Sequence, residues 1–181
     1  MDAFRDFRAW LFLSLSLLAA PLCASPVVLQ PQPVGSSSNE GFEIILLITP
    51  DPDWEAKWNT PPTVAPQFNT ADQLEIGEQV TILPFYINPM PDAQGEVRIT
   101  CQFTITAPDG QQLLDKDAKL CADGGLVGSP TSVRLAPHYF KFIGESTDAP
   151  GLWQFGVTMT DEVRGVSVST GASITLIHTP Q

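Results

Sequence analysis

Positive charge is scarce in this chain. Nine lysines and arginines stand against 20 aspartates and glutamates, a formal net charge of −11. Nucleic acids and anionic membrane surfaces are bound through cations that neutralise phosphates, so the deficit excludes a nucleic-acid partner. It favours solubility and attracts cations or basic partners. Histidine is scarcer still, with only His138 and His178. A nucleophile–histidine–acid arrangement would need one of them, and no Gly-x-Ser-x-Gly elbow surrounds any serine. Phosphate-binding loops and dinucleotide fingerprints are missing as well. No catalytic residue and no cofactor is therefore expected, and the chain reads as a non-enzyme.

Long apolar runs are also lacking, with one short exception near the start. Residues 9–24 carry no charge and follow a polar stretch holding Arg5 and Arg8. The run is shorter than the roughly 20 residues of a spanning helix. A basic start, a short apolar stretch and small residues at its end describe a secretory signal peptide over residues 1–24, cleaved after Ala24 with Leu22 and Ala24 at the recognition positions. Asp2 and Asp6 cancel the two arginines, which leaves an uncleaved anchor as the alternative. Leu22 stands before Cys23 where lipidation would want a small residue, so a lipoprotein is not expected. Cleavage would leave no membrane span, and a secreted or periplasmic location follows.

Cysteine is rare too, and after cleavage only Cys101 and Cys121 remain. In an oxidising compartment two cysteines most simply pair with each other. The enclosed loop of about 20 residues would contribute on the order of 3 kcal/mol. Two free thiols are the alternative.

What is present is β-pattern. Residues 25–40 are rich in Pro, Ser and Gln and read as a flexible leader; the domain is expected over residues 41–181. Along Glu96–Thr106, Val97, Ile99, Cys101, Phe103 and Ile105 alternate with polar residues, so one face lies in a core and the other in water. Residues 152–161 repeat the pattern through Trp153, Phe155, Val157 and Met159. Residues 166–169 and 172–178 read as two further strands of a meander. Residues 42–48 and 80–87 are apolar on both faces and need a second cover, either the loop over residues 50–72 or a partner chain. Pro84 cannot donate to a ladder, which predicts an edge strand or a bulge. About seven strands in all predict an antiparallel β-sandwich.

Residues 148–153, Asp-Ala-Pro-Gly-Leu-Trp, lead into Phe155, Val157 and Met159. This resembles the corner before the penultimate strand of immunoglobulin-like and fibronectin type III-like domains, which usually reads Asp-x-Gly-x-Tyr. The resemblance covers about a dozen residues and implies a sandwich, with no particular activity. Trp153 stands in the aromatic place, so the tyrosine hydroxyl that bonds back to the corner is missing. The strand also holds no cysteine, so the inter-sheet disulfide of such domains is not reproduced.

Two segments could carry binding. In residues 51–62, Asp53 can cap one helical turn that sets Trp54 and Trp58 at i and i+4, on one face. Aligned indoles make a platform for a sugar or an apolar side chain; alternatively, both pack down over the second face of residues 80–87. Asp115, Asp117 and Asp123 flank Cys121 and are weak calcium candidates, since acidic glycine-containing loops supply oxygens but no established loop spacing is matched. The expected function is an exported binding or accessory module that recognises a protein partner through a sheet edge or the aromatic loop. Carbohydrate or calcium binding, or protease inhibition by a disulfide-held loop, are the alternatives.

Overall fold

A computed structural model describes residues 30–61, 65–113 and 117–178; the expected signal peptide and Asp115 lie outside these. Ten strands and one short helix follow in order: β1 (Val34–Asn39), β2 (Phe42–Thr49), α1 (Trp54–Trp58), β3 (Gln73–Glu75), β4 (Gln79–Ile87), β5 (Glu96–Thr106), β6 (Lys119–Gly125), β7 (Arg134–Leu135), β8 (Phe140–Ile143), β9 (Gly151–Asp161) and β10 (Val166–Ile177). They form two five-stranded sheets. The first runs β1-β2-β4, with β7 and β8 both on the far side of β4, and the second runs β3-β10-β9-β5-β6. Among the described strands, only β3 and β10 pair in parallel. The chain thus crosses from the first sheet to the second between β2 and β3, and the whole is an all-β, immunoglobulin-like sandwich.

Alternation produces the core directly. Ile99, Cys101 and Phe103 of β5 and Trp153, Phe155, Val157 and Met159 of β9 face Phe42, Ile44, Leu46 and Ile48 of β2 and Val80 and Ile82 of β4 in one cluster. Removing such side chains from water is the main favourable term in folding, roughly 25 cal/mol per Å² of apolar surface.

Four expectations need correction. The leader over residues 25–40 is in part a strand: Val34–Asn39 pairs antiparallel with β2 from Val34↔Leu47 to Asn39↔Phe42. Its polar composition suits an edge strand, and the domain therefore begins before residue 41. Residues 166–169 and 172–178 are not two strands of a meander. Val166–Ile177 is continuous, in register with β9 along its length, because Gly171 lies in extended backbone opposite Gly156 rather than in a turn. Pro84 sits in the middle of the sheet, not at an edge and not at a bulge, opposite Leu46 of β2. Its carbonyl accepts from Ala136 N at 2.9 Å, so its nitrogen faces the same flank. There the partner strand is interrupted, since β8 pairs with residues 79–82 and β7 with residues 85–86. The missing N–H points into that interruption, which removes the cost of a proline inside a sheet. Finally, Cys121, expected in an irregular segment that follows the strand of Cys101, lies in β6.

Candidate functional site

Trp54 and Trp58 are the sharpest binding candidates of the sequence, and the structure packs them against the sandwich. Leu47, Leu83 and Phe85 form the outward face of β2 and β4 and make a second apolar cluster with Trp54, joined by partly buried Ile45, Trp58, Phe68 and Leu135. The Trp54 indole is 5% exposed and meets Tyr139 edge-on at 4.7 Å between ring centroids. Trp58 lies 5.2 Å from Phe85. The chain's own loop over residues 50–72 is thus the second cover that the doubly apolar strands require. Asp53 makes no side-chain cap bond to α1; its carboxylate lies 3.6 Å from Lys57 Nζ instead.

Asp51 fastens this loop. It is 5% exposed. Lys57 Nζ lies 2.8 Å from its Oδ2, and Asn69 donates from its backbone N at 2.8 Å and from Nδ2 at 2.7 Å. Burial alone pushes the carboxyl up, but the bonds from Lys57, Asn69 and Thr49 outweigh it and hold the pKa at about 2, below the ordinary 3.8. Asp51 in turn raises the Lys57 ammonium. One carboxylate therefore pins both ends of the segment that carries the indoles. Nothing in the sequence pattern singles it out, because Lys57 and Asn69 lie 6 and 18 positions away.

Cys101 and Cys121 form a disulfide with 5.8 Å between Cα atoms, which fits an oxidising compartment. They stand on adjacent strands, and a bulge explains how both reach the core. Thr100 pairs with Leu120 and Ile99 with Ala122, so Cys121 is the extra residue and its side chain turns inward. Asp117 and Asp123, the described members of the calcium candidates, are not brought together into a ligand set. Asp123 lies 3.6 Å from Arg98 Nε across β5, and among the described residues no group of three or more His, Cys, Asp or Glu is placed to hold a metal ion. His138 ties two elements, with Nε2 3.0 Å from the Leu120 carbonyl of β6.

The aromatic corner is intact by a different atom. Trp153 Nε1 donates to the Ala149 carbonyl at 3.0 Å. The indole N–H thereby closes the corner that a tyrosine hydroxyl closes in immunoglobulin domains.

Two arginines organise one end of the sandwich. Arg134 donates four hydrogen bonds to carbonyls of a single loop: Nη1 to Pro130 at 3.1 Å and Ser132 at 2.7 Å, Nη2 to Val127 at 2.9 Å and Ser129 at 2.7 Å. A planar guanidinium can satisfy several acceptors at fixed angles, which a lysine cannot. Val127 stands at the outside of this loop, 87% exposed. Arg164 does the same between loops. Its Nη1 donates to the Glu40 carbonyl in the β1–β2 turn, its Nη2 to Asn88 O at 2.8 Å, and its Nε approaches the fully buried Asp161 at 3.4 Å. Asp161 also accepts from Met90 N at 2.8 Å. Asn88 adopts a positive φ of 55° and bonds Gly41 O through Nδ2 at 2.9 Å. The loops after β1, β4, β6 and β9 are thus locked to one another. Sequence reasoning passes over this cluster, because carbonyl acceptors carry no residue signature.

No protein-family model matches the chain, and no characterised protein matches it in sequence. Among solved structures it is similar to a CARDB domain from Pyrococcus furiosus, determined in complex with di-metal ions, at 10% identity and a TM-score of 0.37, covering 59% of this chain and 81% of that one. It is also similar to a family 123 glycoside hydrolase from Clostridium perfringens that acts on glycolipid glycans, at 10% identity and a TM-score of 0.40, covering 76% of this chain. The chain spans only 28% of that enzyme. The order of strands in the two sheets defines the architecture.

Proposed function

We propose that this protein is an exported, non-enzymatic binding module that captures a protein partner with the arginine-clamped end of its sandwich. The observation that carries the reading is the loop at Arg134. Four guanidinium bonds fix its backbone while Val127 projects into solvent. A loop already held in one shape loses little entropy on binding, and that preorganisation is where affinity is gained. Met90 and Val133, 40% and 46% exposed, flank it. Glu40, Asp92, Glu96 and Glu162 are exposed around the same end. An apolar tip inside an acidic rim fits a partner with an apolar socket and a basic border. The disulfide and the signal-like N-terminus support a secreted or periplasmic setting.

The full chain, immobilised and exposed to envelope and culture extracts, should retain a protein that Val127→Asp and Arg134→Ala lose while Trp58→Ala keeps it. Equal retention by all four forms would sink the proposal. The same rigid loop favours protease inhibition as a second reading. Inhibition of a serine or cysteine protease that Val127→Asp abolishes would establish it.

A further inference from the structure

A groove of about 520 Å³ runs along the outer face of the second sheet. Its size falls in the range of small-ligand sites, roughly 300–1,000 Å³. Cross-strand register explains its shape. Gly156 of β9 stands opposite Gly171 of β10, and Thr104 of β5 stands opposite Gly156 on the other side. Two adjacent glycines leave the middle of the face without side chains. The next row, Thr106–Gln154–Ser173, closes one end. Toward the other end, hydroxyl pairs stand at Thr158–Ser169 and Thr160–Ser167, each at 2.8 Å. One wall is added by the segment before β1, where Gln32 N donates to Ser173 Oγ at 2.9 Å and Ser173 N to Gln32 O at 2.7 Å.

The lining is chemically selective. In a chain of net charge −11, no Asp, Glu, Lys or Arg among the described residues borders the groove. Its polar groups are the amides of Gln30, Gln32 and Gln154 and the hydroxyls of Thr104 and Thr106. Each amide offers two donors and an acceptor, and each hydroxyl offers both functions. Leu152 supplies an apolar contact beside them. Mixed donors and acceptors without charge suit a ligand that is itself neutral, carries many hydroxyls and has C–H faces. Charged ligands would lose water there without gaining a counter-charge. We infer that this groove binds a neutral oligosaccharide, at a place separate from the arginine-clamped end.

The test is titration of the full chain, by calorimetry and by amide chemical shifts, with cellobiose, maltose, lactose and diacetylchitobiose, and with digalacturonate as the anionic comparison. Saturable binding of at least one neutral sugar is expected, with shifts at residues 154–156 and 171–173 and no binding of digalacturonate. Gln154→Ala should weaken it about five- to tenfold, the effect of removing one or two neutral hydrogen bonds. Gln154 is exposed and makes no side-chain bond within the described protein, so this variant folds. Gly171→Val should abolish binding by filling the floor; should it fail to fold, Gln154→Ala decides alone. Absence of binding to all four neutral sugars overturns the inference, as does binding that Gln154→Ala leaves unchanged or that digalacturonate shares.

Discussion

Replacing Asp51 by Asn tests the account of the loop over residues 50–72. The amide keeps the shape but loses the charge on which Lys57 and Asn69 converge. The carboxyl is held at about 2 instead of 3.8. At 1.36 kcal/mol per unit, that difference sets a ceiling of about 2.4 kcal/mol. Solvent beside the Lys57 ammonium screens part of it, so a loss of about 1–2 kcal/mol is expected at pH 6. For a domain of this size that lowers Tm by about 2–8 °C. The pH dependence has a definite sign. Because the folded value is depressed, the contribution is complete above the unfolded value of 3.8 and disappears as pH falls through about 2. Urea unfolding of native and variant proteins, followed by near-ultraviolet circular dichroism at several pH values from 6 to 2, gives the difference directly. The other carboxylates titrate in both proteins and cancel. A difference that stays constant from pH 6 to pH 2, or one below about 0.3 kcal/mol at pH 6, would refute the reasoning, since the linkage requires it to shrink with acid.

Four further outcomes follow from the packing. Trp54→Ala should cost about 3–5 kcal/mol in urea unfolding, as for a buried large-to-small change; a cost under 1 kcal/mol would return the indole to the surface. Replacing Cys101 and Cys121 together by Ala should cost about 3 kcal/mol, measured by thermal unfolding against the oxidised native chain. Trp153→Phe keeps the ring contact with Phe142 but leaves the Ala149 carbonyl without its indole donor, and should cost about 1–3 kcal/mol by the same assay. Gly35→Ala should destabilise by at least about 2 kcal/mol, because an added Cβ would lie 2.0 Å from the Gly171 carbonyl oxygen, a backbone atom that cannot swing aside.

How much of this was legible depends on whether a residue's partner is a neighbour in sequence or in space. β5 and β9 could be read from their period of two, since each buries one face on a core. The disulfide followed from compartment and count, although the bulge that turns Cys121 inward left no trace in residue type. β1 was illegible because its role selects smallness and polarity: Gly35 meets the β10 backbone, so the strand composition imitates a linker. Gly171 misled in the opposite sense, reading as a turn while lying inside a continuous strand opposite Gly156. The indoles could be located but not oriented. Which way they turn depends on Asp51 and Asn69, whose contact spans 18 positions. Arg134 and Arg164 were invisible as hubs, because a guanidinium that binds carbonyls could do so beside any sequence once the loops have come together.

The bulge at Cys121 has a second effect. β6 is the outermost strand of the second sheet, and an outermost strand offers its unpaired amides to any other chain that lies alongside. A regular strand would be a ready template. The additional residue breaks the even spacing of those amides and twists the border away from flatness. Oxidation that joins Cys121 to Cys101 therefore fixes the deformation in place. The bond that ties β6 to β5 thereby also holds this border in a shape ill-suited to pairing with a further chain. Under reducing conditions, self-association should begin along β6, before the sandwich as a whole has come apart.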